Sequence, residues 1–478
     1  MKSIIFIVSL FIAGVSFSSC EDMLDVKVKS EISGSIYWKS ENDFEPYLYG
    51  IYSQIRVHTN KAFDFAEDRS EMWKAGYNNR FSSYWNHDIT SGKTAEWTDF
   101  YGTIGHCNLL LYQIDHFDFA NAALKKQLLA ETYALRAYMY FYIAKIWGDV
   151  PLLLEPIFSE KDPLYARSAA TSVFKQINSD LAASLTYFEK AGYVDKYRIS
   201  KPAVYAILAD VKMWEASVLG GGTEAYQQVI QAIAEVEKSG VELLPVYGDI
   251  FDKEKNDEII WSLYLDRAEY TSGKYNEAFL RFDTSGGADN VSDLPIALAG
   301  QQAYCLSEQA LALFEAYPED KRIARTYIPE LIEGEPRNYW PNKFRGTQYT
   351  DTRVADSDMI LYRLSDLYLL KAEAYAALKN QKDAAEYLNK VRNRAGIPAF
   401  STTDLHALQK EILNERGREL FHEIKRWWDL VRAHSTGVID VYQYVPNLRG
   451  KTTPLYWAVH LNNLTKNDKL VQTEGYDD

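Results

Sequence analysis

Hydrophobic residues recur at three- and four-residue spacing through most of the chain, which is the period of one helix face. The spacing predicts helices over Asp43–Arg56, Glu96–Phe117, Ala122–Trp147, Thr171–Lys190, Lys201–Leu219 and Glu224–Lys238. It predicts further helices over Ser307–Ala316, Leu361–Leu378, Lys382–Arg394 and Asp404–Arg432. Gly148-Asp149-Val150-Pro151, Gly220-Gly221-Gly222 and Gly396-Ile397-Pro398 punctuate them, because glycine and proline end helices. Strand-like runs are few and short, and Glu258–Leu265 is the clearest.

The predicted helices come in pairs: Ala130–Trp147 with Ser172–Glu189, Ala203–Ser217 with Glu224–Glu237, and Leu364–Leu378 with Lys382–Val391. In the last pair Ala372, Ala374, Ala376, Ala377, Ala384 and Ala385 are small enough for two helices to approach closely. The pairing resembles tetratricopeptide repeats, although their roughly 34-residue period is irregular here. The expected fold is all-α, a tetratricopeptide-like helical-repeat scaffold with a loop-rich second region.

Two segments break the helical rhythm, Thr59–Ala95 and Asp266–Tyr304, both rich in aromatic and polar residues. Loops this long in a compact protein are uncommon and often functional. A sugar ring offers an apolar face of C–H groups and an edge of hydroxyls, so a platform for it needs aromatic faces flanked by polar side chains. The first segment supplies Trp73, Tyr77, Arg80 and Trp85, with Asp68 and Arg69 nearby, and the second supplies Tyr275 and Arg281. These six aromatic and arginine residues are the expected ligand contacts. The chain's 35 Tyr, 21 Phe and 11 Trp, 14% of all residues, point the same way. Trp97 instead shares a helix face with Tyr101 and Ile104, and Trp427-Trp428 sits in a helix laced with Glu and Arg at i,i+4 spacing. Both patterns predict packing and ion pairing rather than ligand contact.

The first residues change the picture most. Lys2 begins a short basic start, Ile4–Val15 is an apolar run too short to span a bilayer, and Phe17-Ser18-Ser19 leads to Cys20. This is the layout of a secretory signal over residues 1–19. The cysteine at the cleavage point resembles a bacterial lipobox, with Phe17 where an aliphatic residue is usual. Cys20 is then the expected lipidation site, followed by the acidic pair Glu21-Asp22. The remaining chain has no second run long enough for a membrane helix, so the lipid is the expected anchor.

The formal net charge of −14 becomes −15 when residues 1–19 and their single lysine are removed. That excess argues against nucleic acid, whose phosphates require clustered Lys and Arg. Apart from Cys20, only Cys107 and Cys305 remain, too few for a disulfide framework, though one bridge between them stays open. The eight His are dispersed, with no His or Cys pair at metal-ligand spacing. Asp351, Asp356 and Asp358 lack the central glycine of a calcium loop and read as a solvated acidic stretch. No phosphate loop or nucleophile elbow is present. No metal, cofactor or catalytic residue is therefore expected.

Several phrases, in order, resemble the SusD/RagB family of outer-membrane nutrient-binding lipoproteins. They are Glu21-Asp22-Met23-Leu24-Asp25 after the lipobox, Trp97 with Tyr101, Ile104 and Asn108, and Leu135-Arg136-Ala137-Tyr138 leading to Gly148-Asp149-Val150-Pro151-Leu152. They continue with Glu258-Ile259-Ile260-Trp261, the stretch Tyr362–Ala376, Val391-Arg392-Asn393-Arg394-Ala395-Gly396, Glu415-Arg416-Gly417-Arg418-Glu419-Leu420 and Trp428-Asp429-Leu430-Val431-Arg432. The resemblance implies an N-terminal helical region over 20–260 and a C-terminal SusD/RagB region over 261–478. It also implies capture of an oligosaccharide at the outer face of the outer membrane and delivery to a TonB-dependent, SusC-like transporter, without catalysis. The residues themselves leave two alternatives open: a secreted all-α glycoside hydrolase, which needs only two carboxylates in a groove, and a peptide-binding surface lipoprotein, since helical repeats commonly bind peptides.

Overall fold

The computed structural model describes residues 37–476, apart from 60, 78–81, 160–162, 190–191, 194, 270–278, 280–286 and 299. Cys20, Arg80, Tyr275 and Arg281 lie outside the described residues. The principal elements in chain order are α1 (Phe44–Thr59), β1 (Trp73–Ala75), α2 (Thr98–His116), α3 (Ala122–Trp147), α4 (Ala170–Tyr187), α5 (Lys201–Ser217), α6 (Gly222–Glu237), β2 (Ile259–Leu263), β3 (Tyr304–Leu306) and α7 (Glu308–Glu315). They continue with β4 (Tyr327–Ile332), β5 (Glu335–Pro341), β6 (Thr347–Gln348), β7 (Arg353–Val354), β8 (Met359–Arg363), α8 (Leu364–Ala377), α9 (Gln381–Ala395), α10 (Leu405–Glu419) and α11 (Arg426–Ser435). Among the described residues the strands form only two-stranded antiparallel ribbons, β1–β3, β2–β8, β4–β5 and β6–β7.

The three expected helix pairs form: α3 packs on α4, α5 on α6, and α8 on α9. At the last interface Ala372, Ala376 and Ala384 are fully buried with Leu369, Leu388 and Val391, so the alanines sit where the two helices meet. From Leu128 to Trp147, α3 is buried on every face except at Tyr133, as expected for a helix without a polar stripe. Its two buried cations are accounted for. Arg136 makes a bidentate pair with Asp180 of α4 (Nε–Oδ2 2.8 Å, Nη2–Oδ1 2.7 Å), and Lys145 lies 3.6 Å from Asp210 of α5. The helix begins on Asn121, whose side chain accepts from the Leu124 N–H, and ends at Gly148 with φ +72°. A left-handed residue here favours glycine, and an added Cβ would press on the Tyr456 ring at 3.2 Å.

Two boundaries differ from the sequence pattern. The helix expected from Leu361 begins only at Leu364, because Met359–Arg363 is extended and pairs with β2. The helix expected over Asp404–Arg432 breaks at Leu420–Lys425, where His422 and Ile424 adopt φ of +63° and +55°. No proline or glycine marks the break. Side-chain donors replace the helix: the Glu419 carbonyl accepts from Tyr247 Oη (2.8 Å), Lys343 Nζ (3.0 Å) and Arg363 Nη2 (2.8 Å).

Around this break lies a buried ion network. Arg322 contacts Asp320, Glu415 and Glu419 at 2.6–2.8 Å. Arg363 contacts Glu258, Glu419 and Glu423 at 2.5–2.9 Å, and Lys343 joins at Glu423. Arg392, Arg394 and Arg418 complete it through Glu258, Glu411, Glu415 and Glu419. Six cations thus face six carboxylates. The balance matters, since an unmatched charge in a protein interior is costly.

One hydrophobic core spans the chain from Phe44 to Val459. Trp97, Trp427 and Trp428 are buried in it, as their helical spacing predicts. Cys107 lies in the same core while Cys305 packs on Leu294 and Trp340, and both are free thiols.

Candidate functional site

The two segments that interrupt the helical pattern meet in space. β1, from the first, pairs with β3 at the end of the second, in the register Trp73↔Leu306 and Ala75↔Tyr304. The next residue, Gly76, continues the pairing through its N–H to the Ala303 carbonyl (2.9 Å). A Cβ at Gly76 would collide with the Gln302 carbonyl and lie 2.9 Å from Trp340, so the close approach of the two segments requires glycine.

This joint sorts the expected contacts. Trp73 is only 2% exposed. Its indole packs between Phe63 and Phe421 at 5.1 and 4.9 Å and edge-on to His422 at 5.0 Å, and it donates to Glu67 Oε2 at 3.4 Å. Trp73 therefore anchors the ribbon to the core and presents no face for a ligand. The reason is alternation along the strand: the face carrying Trp73 and Tyr304 turns inward. Burial pushes the Glu67 carboxyl up to about 8. Asp68 and Arg69 are buried too. Arg69 donates to the carbonyls of Leu455 (2.7 Å) and Pro454 (2.9 Å) and lies 4.2 Å over the Trp427 ring. Trp85 is half-buried, with its indole N–H on the Trp73 carbonyl at 3.1 Å.

Tyr77 stands differently. It is half-exposed, the Arg337 guanidinium lies 5.2 Å over its ring, and its hydroxyl donates to Glu330 Oε1 at 2.8 Å. Glu330 also accepts from Asn338 and Trp340 at 3.2 Å. Arg337 and Asn338 belong to the β4–β5 hairpin, which the sequence pattern did not reveal. Its turn uses Glu333 and Gly334 at φ +54° and +78°, a pair of left-handed residues suited to a two-residue hairpin.

A second polar-aromatic cluster assembles beside the segment where the Leu298 N–H meets Thr352. Tyr197 and Tyr264 lie 5.3 Å apart, and Tyr349 lies under the Arg267 guanidinium at 4.6 Å. All three tyrosines are half-exposed. Arg267 forms a bidentate pair with Asp351 (2.9 and 2.6 Å). Tyr349 donates to Asp356 at 2.7 Å and Tyr197 to Asp358. Burial raises Asp358 to about 6. The stretch Asp351–Asp358, read from sequence as a solvated acidic loop, is thus a hydrogen-bonded frame for tyrosines. Behind it lies a cavity of about 220 Å³ lined by Phe251, Glu254, Arg325, Arg345, Asp356 and Asp358, among others. Residues 287–298 connect the two clusters: Asn290 bonds β4 at Pro329 and Leu331, and Leu298 N–H reaches Thr352 at 3.3 Å. Tyr197, Tyr264 and Tyr349 come from three separate parts of the chain, so no local pattern links them. Only the tyrosine, arginine and aspartate mix over 349–358 carries a signal.

Among the described residues, no group of His, Cys, Asp or Glu is placed to hold a metal ion, and no helix is long and apolar enough to cross a membrane.

The molecule is thus a tetratricopeptide-like helical scaffold carrying a polar-aromatic face built from the segments between its helices. Comparison with known proteins gives the family. The SusD family model matches residues 323–476, and a model described as starch-binding associating with outer membrane matches residues 22–213. The chain belongs to the SusD/RagB family. It is 26% identical to SusD-like protein P38 of Formosa agariphila over 96% of both chains, and 27% identical to the starch-binding protein SusD of Bacteroides thetaiotaomicron over 33% of this chain and 28% of that one. Among solved structures, a SusD superfamily protein of Bacteroides fragilis superposes with a TM-score of 0.81 at 24% identity, covering 92% of this chain and 100% of that one. A laminarin binding SusD-like protein superposes with a TM-score of 0.75 at 21% identity, covering 92% and 100%.

Proposed function

We propose that this protein captures an oligosaccharide at the cell surface, leaves it chemically unchanged, and hands it to a TonB-dependent outer-membrane transporter. The observation that carries the reading is the face itself. Tyr77 and Tyr349 stand half-exposed beside Arg337 and Arg267, with Asn338 sharing Glu330 with Tyr77 and with Tyr264 half-exposed beside Tyr197, the pairing of ring faces with polar edges that a sugar needs. Starch is the ligand named for one relative and laminarin for one structural neighbour, and both are glycans. Trp85, Arg80, Tyr275 and Arg281 belong to the segments that meet at this face and stay in the proposal as further contacts. Trp73 acts from beneath as their anchor.

A stacking aromatic at a binding hot spot contributes roughly 2 kcal/mol, or about 30-fold in affinity. Tyr349→Ala and Tyr77→Ala are expected to weaken binding to the cognate glycan, found by affinity-gel screening, at least tenfold. Their melting temperatures should stay near wild type, because half-exposed side chains lose few core contacts. Normal binding by both variants would place the platform elsewhere, and release of reducing ends by the wild type would mark a hydrolase instead.

The delivery step needs a partner, since a lipid-anchored body cannot itself carry a solute across a membrane. Ile157, Phe158, Leu164, Leu461 and Val471 are 47–67% exposed, and an apolar hollow lined by Ile157, Leu164, Tyr165 and Leu470 opens beside them. Exposed apolar patches of this kind mark interaction sites, and we assign this one to the barrel. Gentle detergent extraction should co-isolate a large β-barrel protein with the wild type and lose it with Ile157→Asp/Phe158→Asp. Recovery of the wild-type chain alone under several mild conditions would count against the lid arrangement.

A further inference from the structure

The cavity behind the tyrosine frame has two kinds of wall. Its floor is apolar: Ile250, Ile259 and Ile360 are buried there, with Phe251 packed against them. Its rim is polar, formed by Glu254 and Thr347, which are exposed, and by Arg345, Asp356 and Asp358, which are half-buried. The lining sets the carboxylates of Asp252, Glu254, Asp356 and Asp358 against the cations of Lys253, Arg325 and Arg345. Arg325 pairs with Asp252 at 2.6 Å, and Lys253 with Asp249 at 2.7 Å. Charges of both signs therefore surround the space, and neither dominates enough to demand a charged guest.

The rim keeps hydrogen-bonding capacity that the chain does not use. Asp356 accepts from the Thr347 N–H (2.8 Å) and Tyr349 Oη (2.7 Å), and Asp358 accepts from the Leu265 N–H (3.0 Å) and Tyr197 Oη. Glu254 accepts from Tyr197 Oη at 3.2 Å. An ionised carboxylate offers about four acceptor sites, so each can take further donors. Arg345 carries a fork of N–H donors and makes, among the described residues, one long bond, 3.5 Å to the Asp293 carbonyl. Acceptors and a donor fork thus stand around a small space above an apolar floor. A sugar ring is the complement, with hydroxyls that both donate and accept at its edge and C–H groups on its face.

We propose that this cavity takes the terminal, neutral unit of the captured glycan, so that the protein selects chain ends and short oligosaccharides over the interior of a polymer. This rests on the glycan-binding reading above and narrows its substrate class. The cavity, about 220 Å³, is smaller than the roughly 300–1,000 Å³ of drug-sized ligand pockets and has room for one ring rather than a run of them. The carboxylates that line it also hold tyrosines of the frame, Asp356 at Tyr349 and Asp358 at Tyr197. A chain whose last unit sits in the cavity therefore lays its next units over those rings.

The test uses the full chain in non-ionic detergent, with glucose, galactose, mannose and xylose as probes. At least one of these monosaccharides should raise the melting temperature. Glu254→Ala/Arg345→Ala should weaken the responding sugar at least tenfold by calorimetric titration, and Glu254→Ala alone serves if the double variant fails to fold. A polysaccharide that retards the protein in an affinity gel should compete better, mass for mass, after partial hydrolysis, because cutting multiplies its ends. No response to any monosaccharide, full response in the variants, or equal competition by cut and intact polymer would overturn the terminal subsite. The gel separates the two readings. Retardation by a polysaccharide without any monosaccharide response removes the subsite and keeps glycan capture. A monosaccharide response that the variants lose, without retardation by any polysaccharide, removes capture of a glycan chain and leaves a site for a free sugar.

Discussion

Glu419→Gln is expected to destabilise the fold by about 3–5 kcal/mol, the usual cost of removing one partner from a buried ion pair. The Glu419 carboxylate serves three guanidiniums at once, Arg322 at 2.8 Å, Arg363 at 2.5 Å, and Arg394. The amide keeps the shape but leaves six cations facing five carboxylates. The effect depends on pH in a defined direction. Burial alone would raise the Glu419 pKa, but Arg394, Arg363 and Arg322 hold it well below the usual carboxylate range. A depressed folded-state pKa stabilises at pH above the unfolded value of roughly 4.3. That contribution fades as pH falls towards the folded value. Urea denaturation of both proteins should show a full gap at pH 7 that narrows below pH 4. A variant as stable as wild type at pH 7 would mean that the network relaxes around the loss.

Trp73→Ala is the second large effect, about 3–5 kcal/mol, the range for emptying a buried aromatic site. The indole fills the space between Phe63, Phe421 and His422 and ties β1 to the core. The sequence alone suggests a loop tryptophan that can be removed at little cost, and thermal melting separates the two outcomes. Loss of glycan binding in this variant would follow from loss of the ribbon beneath Tyr77. A melting temperature near wild type would return Trp73 to the exposed platform.

The contrast between Trp73 and Tyr349 shows what was legible in the chain. Helices and their pairing were readable because α1, α6 and α9 alternate buried and solvated faces over three or more turns. The alanines of α8 and α9 announced a close interface, and Glu258–Leu265 announced a strand. The break at Leu420–Lys425 was hidden because its stabilising donors, Tyr247, Lys343 and Arg363, arrive from distant parts of the chain. The candidate site was half legible. The two polar-aromatic segments were visible as interruptions, and they do meet. Which aromatic faces outward depends on the β1–β3 register and the β4–β5 hairpin, and neither has a long enough alternating run to be recognised. Tyr264 and Tyr349 are held locally by Asp266 and Asp356, whereas Tyr197 joins them through its long-range bond to Asp358.

Arg69 carries a consequence for the order in which the molecule can be completed. Its guanidinium is buried against the carbonyls of Pro454 and Leu455, 385 and 386 residues further on. At about 5–20 residues per second of synthesis, those acceptors emerge roughly 20–80 s after the arginine. Until then the N-terminal helices carry a cation whose burial place does not exist, and Trp427, the ring it stacks on, is also unmade. A charge that cannot be desolvated without its partners holds that part of the core open, so the first residues of the fold are sealed by nearly the last.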